Sequence, residues 1–144
     1  MTIDSRAKGA GAELEFCNIV YQWAGIKLIR NLEQSRSGGY DLIVHDDETG
    51  LIADSWRSLA IEIKRHAKAT PALIDSWWTQ ARRQSERHRL NPVLAYRSNR
   101  ENWNVIVPLY LVNPSLTRNL GLDCTATVSP IGFCSIVSEM TRSA

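Results

Sequence analysis

Asp41, Glu62 and Lys64 are the residues whose types and spacing point to chemistry. In LAIEIKR, residues 59–65, Ile61 and Ile63 alternate with Glu62 and Lys64. A strand here turns both apolar side chains to one face and both charges to the other. A carboxylate and an ammonium on an internal strand cost on the order of several kcal/mol per ion unless they are paired or bind a cation. On an edge strand the same charged face would simply be wet. Asp41 opens an earlier apolar segment, YDLIV at 40–44, and a hairpin-like pairing of 40–44 with 59–65 would set its carboxylate beside that of Glu62. Two carboxylates with water make a hard, oxygen-rich site of the kind that suits Mg²⁺.

Two further polar residues stand where apolar ones are expected. Glu13 precedes Phe16, Val20 and Trp23 by three, seven and ten residues, so on a helix it shares their face. Gln80 follows Leu73 and Trp77 by seven and three residues and borders a second apolar stripe. Each has a plain alternative: solvation near a helix end for Glu13, turn capping for Asp41, a half-buried amide for Gln80.

The elements that must position these residues follow from periodicity. Phe16, Ile19, Val20 and Trp23 recur at helical spacing within 7–24, and Gly25 suits a C-cap. Strands are expected at 26–30, 40–44, 59–65, 92–97 and 104–112, with Pro108 marking an edge or a break in the last. Thr70-Pro71 reads as N-cap and first helical position for a helix over 72–89, with Leu73, Ile74, Trp77, Trp78 and Ala81 as its apolar stripe. Residues 51–58 read as a short edge strand or loop, and TATV and FCSIV as a hairpin around Ser129-Pro130-Ile131-Gly132. The order α-β-β-β-α-β-β predicts a mixed sheet with helices packed on it, class α/β or α+β.

At 144 residues, 44% hydrophobic and 22% charged, the chain is expected to fold as one domain around one core. No apolar run approaches the ~18–20 residues of a spanning helix, and the first residues lack the apolar stretch of a signal peptide, so a soluble, cytoplasmic protein with no membrane partner is expected. Cys17, Cys124 and Cys134 show no CxxC spacing, and His45, His66 and His88 form no HxxxH pair, which argues against zinc and against a disulfide framework. Charge is unevenly spread: net −4 over 1–56, +7 over 57–100 and −1 over 101–144. A basic middle third fits a nucleic-acid footprint, and equally a solvated helix face with Glu86 as partner.

The ordered strings KGAGAELEF, SGGYDLIV, AIEIKR, WWTQARRQ and NPVLAYR resemble the PD-(D/E)XK nuclease superfamily, and within it the archaeal-type and phage-encoded Holliday junction resolvases. The resemblance covers about 6–112; Tyr40 stands where the family has Pro, and 113–144 have no aligned counterpart. It implies a restriction-endonuclease-like mixed central sheet flanked by helices. It further implies a metal-dependent, structure-selective endonuclease, foremost a junction resolvase, with a restriction-type or repair/flap nuclease as the alternative and a non-catalytic DNA-binding module behind both.

By the same resemblance, Glu13, Asp41, Glu62, Lys64 and Gln80 form the catalytic set. Asp41 and Glu62 hold Mg²⁺ (Mn²⁺ as substitute), and Glu13 completes that site or a second one. Lys64 orients the attacking water or neutralises the reacting phosphate, and Gln80, or less readily Gln84, positions water or ligands. DNA phosphates fall to Lys8, Arg36, Ser37, Arg65, Lys68, Arg82, Arg83 and Arg87. Trp77 and Trp78 are expected in the core. Resolution of a four-way junction takes two symmetric nicks and the chain carries one E-x-K site, so a homodimer on branched DNA is expected, with Thr125 to Val137 either as interface or as completion of the core.

Overall fold

The computed structural model describes residues 5–32 and 39–143. The first helix, α1 (Ser5–Ala24), ends at Gly25, whose φ of +69° and N–H bond to the Tyr21 carbonyl make it the expected C-cap. Strands β1 (Leu28–Arg30) and β2 (Leu42–Val44) follow, each shorter than the apolar run that announces it. Then come helix α2 (Leu51–Arg57), strand β3 (Leu59–His66) and the long helix α3 (Pro71–His88). Thr70 caps α3, its Oγ1 accepting from the Leu73 N–H at 3.2 Å. Strands β4 (Asn91–Ser98) and β5 (Asn104–Pro108), the short helix α4 (Leu109–Val112), strand β6 (Thr125–Val128) and helix α5 (Pro130–Ser143) complete the order.

The strands form one mixed sheet in sequence order, β1 to β6. Every neighbouring pair is antiparallel except β3–β4, which run parallel in unbroken register from Leu59↔Asn91 to His66↔Ser98. A parallel pair needs a crossover, and α3 supplies it. The E-x-K strand is therefore central, which removes the wet-edge account of its charged face.

Alternation divides the core in two. On one face Ile61, Val93, Val105 and Val107 pack under α1, α2 and α5, where Phe16 lies 5.2 Å from Trp103 and Trp56 meets Phe133 edge-on at 5.2 Å. On the other, Trp77, Trp78 and Ala81 of α3 cover Leu94 and Ile106. Both tryptophans are core residues, as expected. Trp23 is not: it is 53% exposed, although its neighbour Ala24 packs against the core.

Three expectations are corrected. Residues 51–57 are a helix, since Ala53 and Trp56, three apart, both bury against the core. The strand expected over 104–112 stops at Pro108, which has no N–H to continue a ladder, and Leu109–Val112 turn into a helix. The hairpin expected at TATV and FCSIV is a strand followed by a helix. The Ser129 Oγ accepts from the Gly132 N–H at 3.1 Å, so Ser129-Pro130 opens α5 rather than a turn. Because β6 pairs with β5 and Phe133 and Val137 are fully buried, the segment from Thr125 to Val137 fills the core and is no free interface. Cys17 and Cys134 are buried thiols, pushed up to about 11 by that burial. Among the described residues no helix is long and apolar enough to cross a membrane.

Candidate active site

The register Leu42↔Ile61 between β2 and β3 places Asp41 opposite Glu62, on the face turned toward α3. Asp41 is fixed by its backbone and its side chain. Its N–H donates to the Ile61 carbonyl at 2.9 Å, its carbonyl accepts from the Asn31 N–H at 2.7 Å, and its Oδ2 accepts from the Ile63 N–H at 2.7 Å. One carboxylate oxygen thus replaces a rung of the sheet ladder just where β2 begins.

Glu62 is 3% exposed. Its Oε1 accepts from Gln80 Nε2 of α3 at 3.3 Å and lies 3.6 Å from Lys64 Nζ, two residues along the same strand face. Its Oε2 is buried with no hydrogen-bond partner among the described residues. The neighbouring Asp41 carboxyl is in hydrogen-bonding reach only when one of the two holds a proton.

The electrostatics follow from that crowding. Burial, then the Asp41 charge, push Glu62 up from 4.5 to about 9, against the opposing pull of Lys64. Burial also raises Asp41, to about 6; the Ile63 N–H pulls it back and the Glu13 charge pushes it further up. Without a cation the pair therefore keeps a proton; ionising both carboxyls beside a single ammonium leaves an excess of negative charge and a buried Oε2 with no donor to accept from. This pair fits a small divalent cation: hard oxygen donors, an excess charge and a free lone pair.

The structure thus brings Asp41, Glu62, Lys64 and Gln80 together. Glu13 pairs elsewhere in this structure. It is buried, but its Oε2 accepts from Arg30 Nε at 2.8 Å, and among the described residues no group of three or more His, Cys, Asp or Glu side chains converges. In this structure the Glu13 charge is balanced by Arg30, and it acts on Asp41 through space by pushing that carboxyl up. Arg30 and Asn31 were missing from the sequence reading. Their only signal was a polar pair closing the IKLIR run, and nothing in that run shows which carboxylate an arginine will meet.

The basic residues sort by position. Gln80, Arg83, Gln84 and Arg87 share one side of α3 and line a groove with Ser76 and Thr79. Arg83, Arg87 and Lys68 are exposed, whereas Arg82 is half-buried. Arg65 lies on the opposite side of β3 from Lys64 and donates to Asn99 Oδ1 at 3.3 Å, so strand alternation separates it from the site. The side chain of Lys8, and Arg36 and Ser37 altogether, lie outside the described residues.

Comparison with known proteins adds two likenesses. The chain is similar to the solved structure of Archaeoglobus fulgidus Hjc, a Holliday junction resolvase from an archaeal hyperthermophile, at 16% identity over 92% of this chain and 88% of that one, with a TM-score of 0.44. No curated protein matches it. Residues 4–126, which carry Asp41, Glu62, Lys64 and Gln80, match the family described as "Phage putative PDDEXK endonuclease", and the chain belongs to that endonuclease family.

Proposed function

We propose that the protein is a divalent-metal-dependent endodeoxyribonuclease that nicks branched DNA, foremost four-way junctions, as a homodimer acting in the cytoplasm, with Mg²⁺ as its cation and Mn²⁺ as a substitute. The observation that supports this most directly is the buried Asp41–Glu62 pair with its partnerless oxygen, flanked by Lys64 and Gln80. When bound, the cation supplies positive charge that lowers the pKa of a water and polarises the scissile phosphate. Asp41 and Glu62 would hold it.

The remaining work belongs to the chain's own side chains. Lys64, a compact point charge 25% exposed, reaches from Glu62 toward solvent, where it orients the attacking water or neutralises charge developing on the phosphate. Gln80 fixes the Glu62 carboxyl from α3 through its 3.3 Å bond. The exposed Arg83 and Arg87, one and two turns further along the same side of α3, take flanking phosphates without reading bases. A pure binding module gains nothing from two buried carboxylates facing a polyanion. The preference for junctions rests on the motif resemblance and on one site per chain: two copies related by a two-fold axis meet two symmetric strands.

The test is cleavage of equal-length four-way junction, fork, flap and linear duplex, with sedimentation at micromolar concentration. Cutting in Mg²⁺ and Mn²⁺, binding with little cutting in Ca²⁺, and no cutting in EDTA are expected. Activity that survives EDTA in a nuclease-free preparation overturns the metal assignment. A monomer, or equal use of junction and duplex, moves the reading to a restriction-type or repair nuclease.

A further inference from the structure

His66 ends β3 on the same face as Glu62 and Lys64, because the β3–β4 register runs without a bulge from Leu59 to His66. Two residues along a strand separate His66 from Lys64 by about 6.7 Å, comparable to the spacing of neighbouring phosphates along a nucleic-acid strand. The ring is exposed, yet it is held from several sides. Its Nδ1 lies 3.3 Å from the Lys68 carbonyl; a carbonyl can only accept, so Nδ1 carries a hydrogen and Nε2 is the nitrogen left to other partners.

The loop that supplies that carbonyl is itself tied down. The Ala69 N–H donates to the buried Ser98 Oγ at 2.9 Å, and the Asn99 N–H donates to the His66 carbonyl at 3.0 Å. Behind the imidazole stands Trp77 of α3, with ring centroids 6.3 Å apart, and Trp77 in turn meets Tyr96 at 6.1 Å. Tyr96 is the register partner of Lys64. The side chains on this stretch of the face include Lys64, Tyr96, His66 and its register partner Ser98, with Lys68 exposed two residues beyond the strand's end. An oriented imidazole with one nitrogen committed to a carbonyl, in a row with Lys64 and at the end of β3 away from the Asp41–Glu62 pair, turns its other nitrogen outward, and once the ring is protonated that nitrogen can donate to an anion.

We propose that His66 is a substrate-contacting residue that, as the doubly protonated imidazolium, keeps Nδ1–H on the Lys68 carbonyl and donates Nε2–H to a DNA phosphate adjacent to the scissile one, so that Lys64 and His66 occupy two consecutive phosphates of the cut strand. The contact rests on the nuclease reading above. It fixes the strand along β3, and a charge-assisted bond of this kind contributes about tenfold in affinity or rate.

The test maps the cut site on a junction and replaces the phosphate on either side of it, one at a time, by an uncharged methylphosphonate. The wild type is expected to lose about tenfold in kcat/KM on one of the two, His66→Ala to lose about tenfold on the natural substrate, and the combination to lose little more than either alone. His66→Ala melting with the wild type excludes a folding defect. Additive losses, or wild-type cleavage by His66→Ala, overturn the contact while leaving the nuclease reading intact. Failure of the wild type to cut any DNA overturns both.

Discussion

The Glu62→Gln substitution separates the electrostatics of the site from its activity. Glu62 is held near 9 by burial and by Asp41, whereas in the unfolded chain it returns to about 4.5. The folded protein without metal therefore keeps a proton that the unfolded chain releases. A group raised on folding contributes its full stability below the unfolded value and loses it as pH climbs toward the folded value. Stability of the metal-free protein should fall between pH 4.5 and 9, on the order of 1 kcal/mol per pH unit. At pH 7 the accumulated cost is about 3 kcal/mol.

The amide in Glu62→Gln cannot titrate, can donate to Asp41 as the carboxylic acid does, and keeps an oxygen for the Gln80 bond. The variant should match the wild type near pH 4.5 and exceed it by about 3 kcal/mol at pH 7, a rise of about 10 °C in Tm for a chain of this size. Melting followed by circular dichroism in EDTA, from pH 4.5 to 9, reads this directly. Adding Mg²⁺ should raise the wild-type Tm and leave that of Glu62→Gln nearly unmoved. A variant less stable than the wild type at pH 7, or a difference that does not change with pH, would refute the assignment of a strained, proton-holding carboxyl pair.

Other outcomes follow from the same geometry. Asp41→Asn and Lys64→Ala should each lower cleavage by orders of magnitude; Lys64→Ala should bind DNA and melt nearly as the wild type, because its ammonium is partly solvated. Arg83→Ala should chiefly weaken binding and flatten the log K against log salt slope by about one unit, measured by titration across salt. Arg30→Ala leaves the Glu13 carboxylate buried without its partner and should lower stability in urea by about 1–3 kcal/mol, an effect that Glu13→Gln in the same chain relieves. Phe133→Ala, which empties the contact of α5 with Phe16 and Trp56, should cost about 3–5 kcal/mol and show that the last helix belongs to the core.

Local pattern alone carried the centre of this protein. Period-two alternation in LAIEIKR put Glu62 and Lys64 on one face, the apolar run after Asp41 announced its strand, and Thr70-Pro71 with a 3.6-residue stripe marked α3; each depends only on neighbours a few residues away. The short apolar segments did not declare themselves. Residues 51–57 and FCSIV fit strand or helix equally until it is known what they cover, and Ala53 with Trp56, and Phe133 with Val137, become helical faces only because the sheet beneath α2 and α5 is there to bury them. The fate of the carboxylates was likewise decided in three dimensions. Asp41 and Glu62 meet because β2 and β3 pair in one register, and their pKa values rise because α3 and a central strand exclude water. Glu13, on the right face of its helix by spacing, is instead taken by an arginine 17 residues away at the end of β1, since which cation lies nearest a buried charge is a property of the packed fold and not of the helix that carries it.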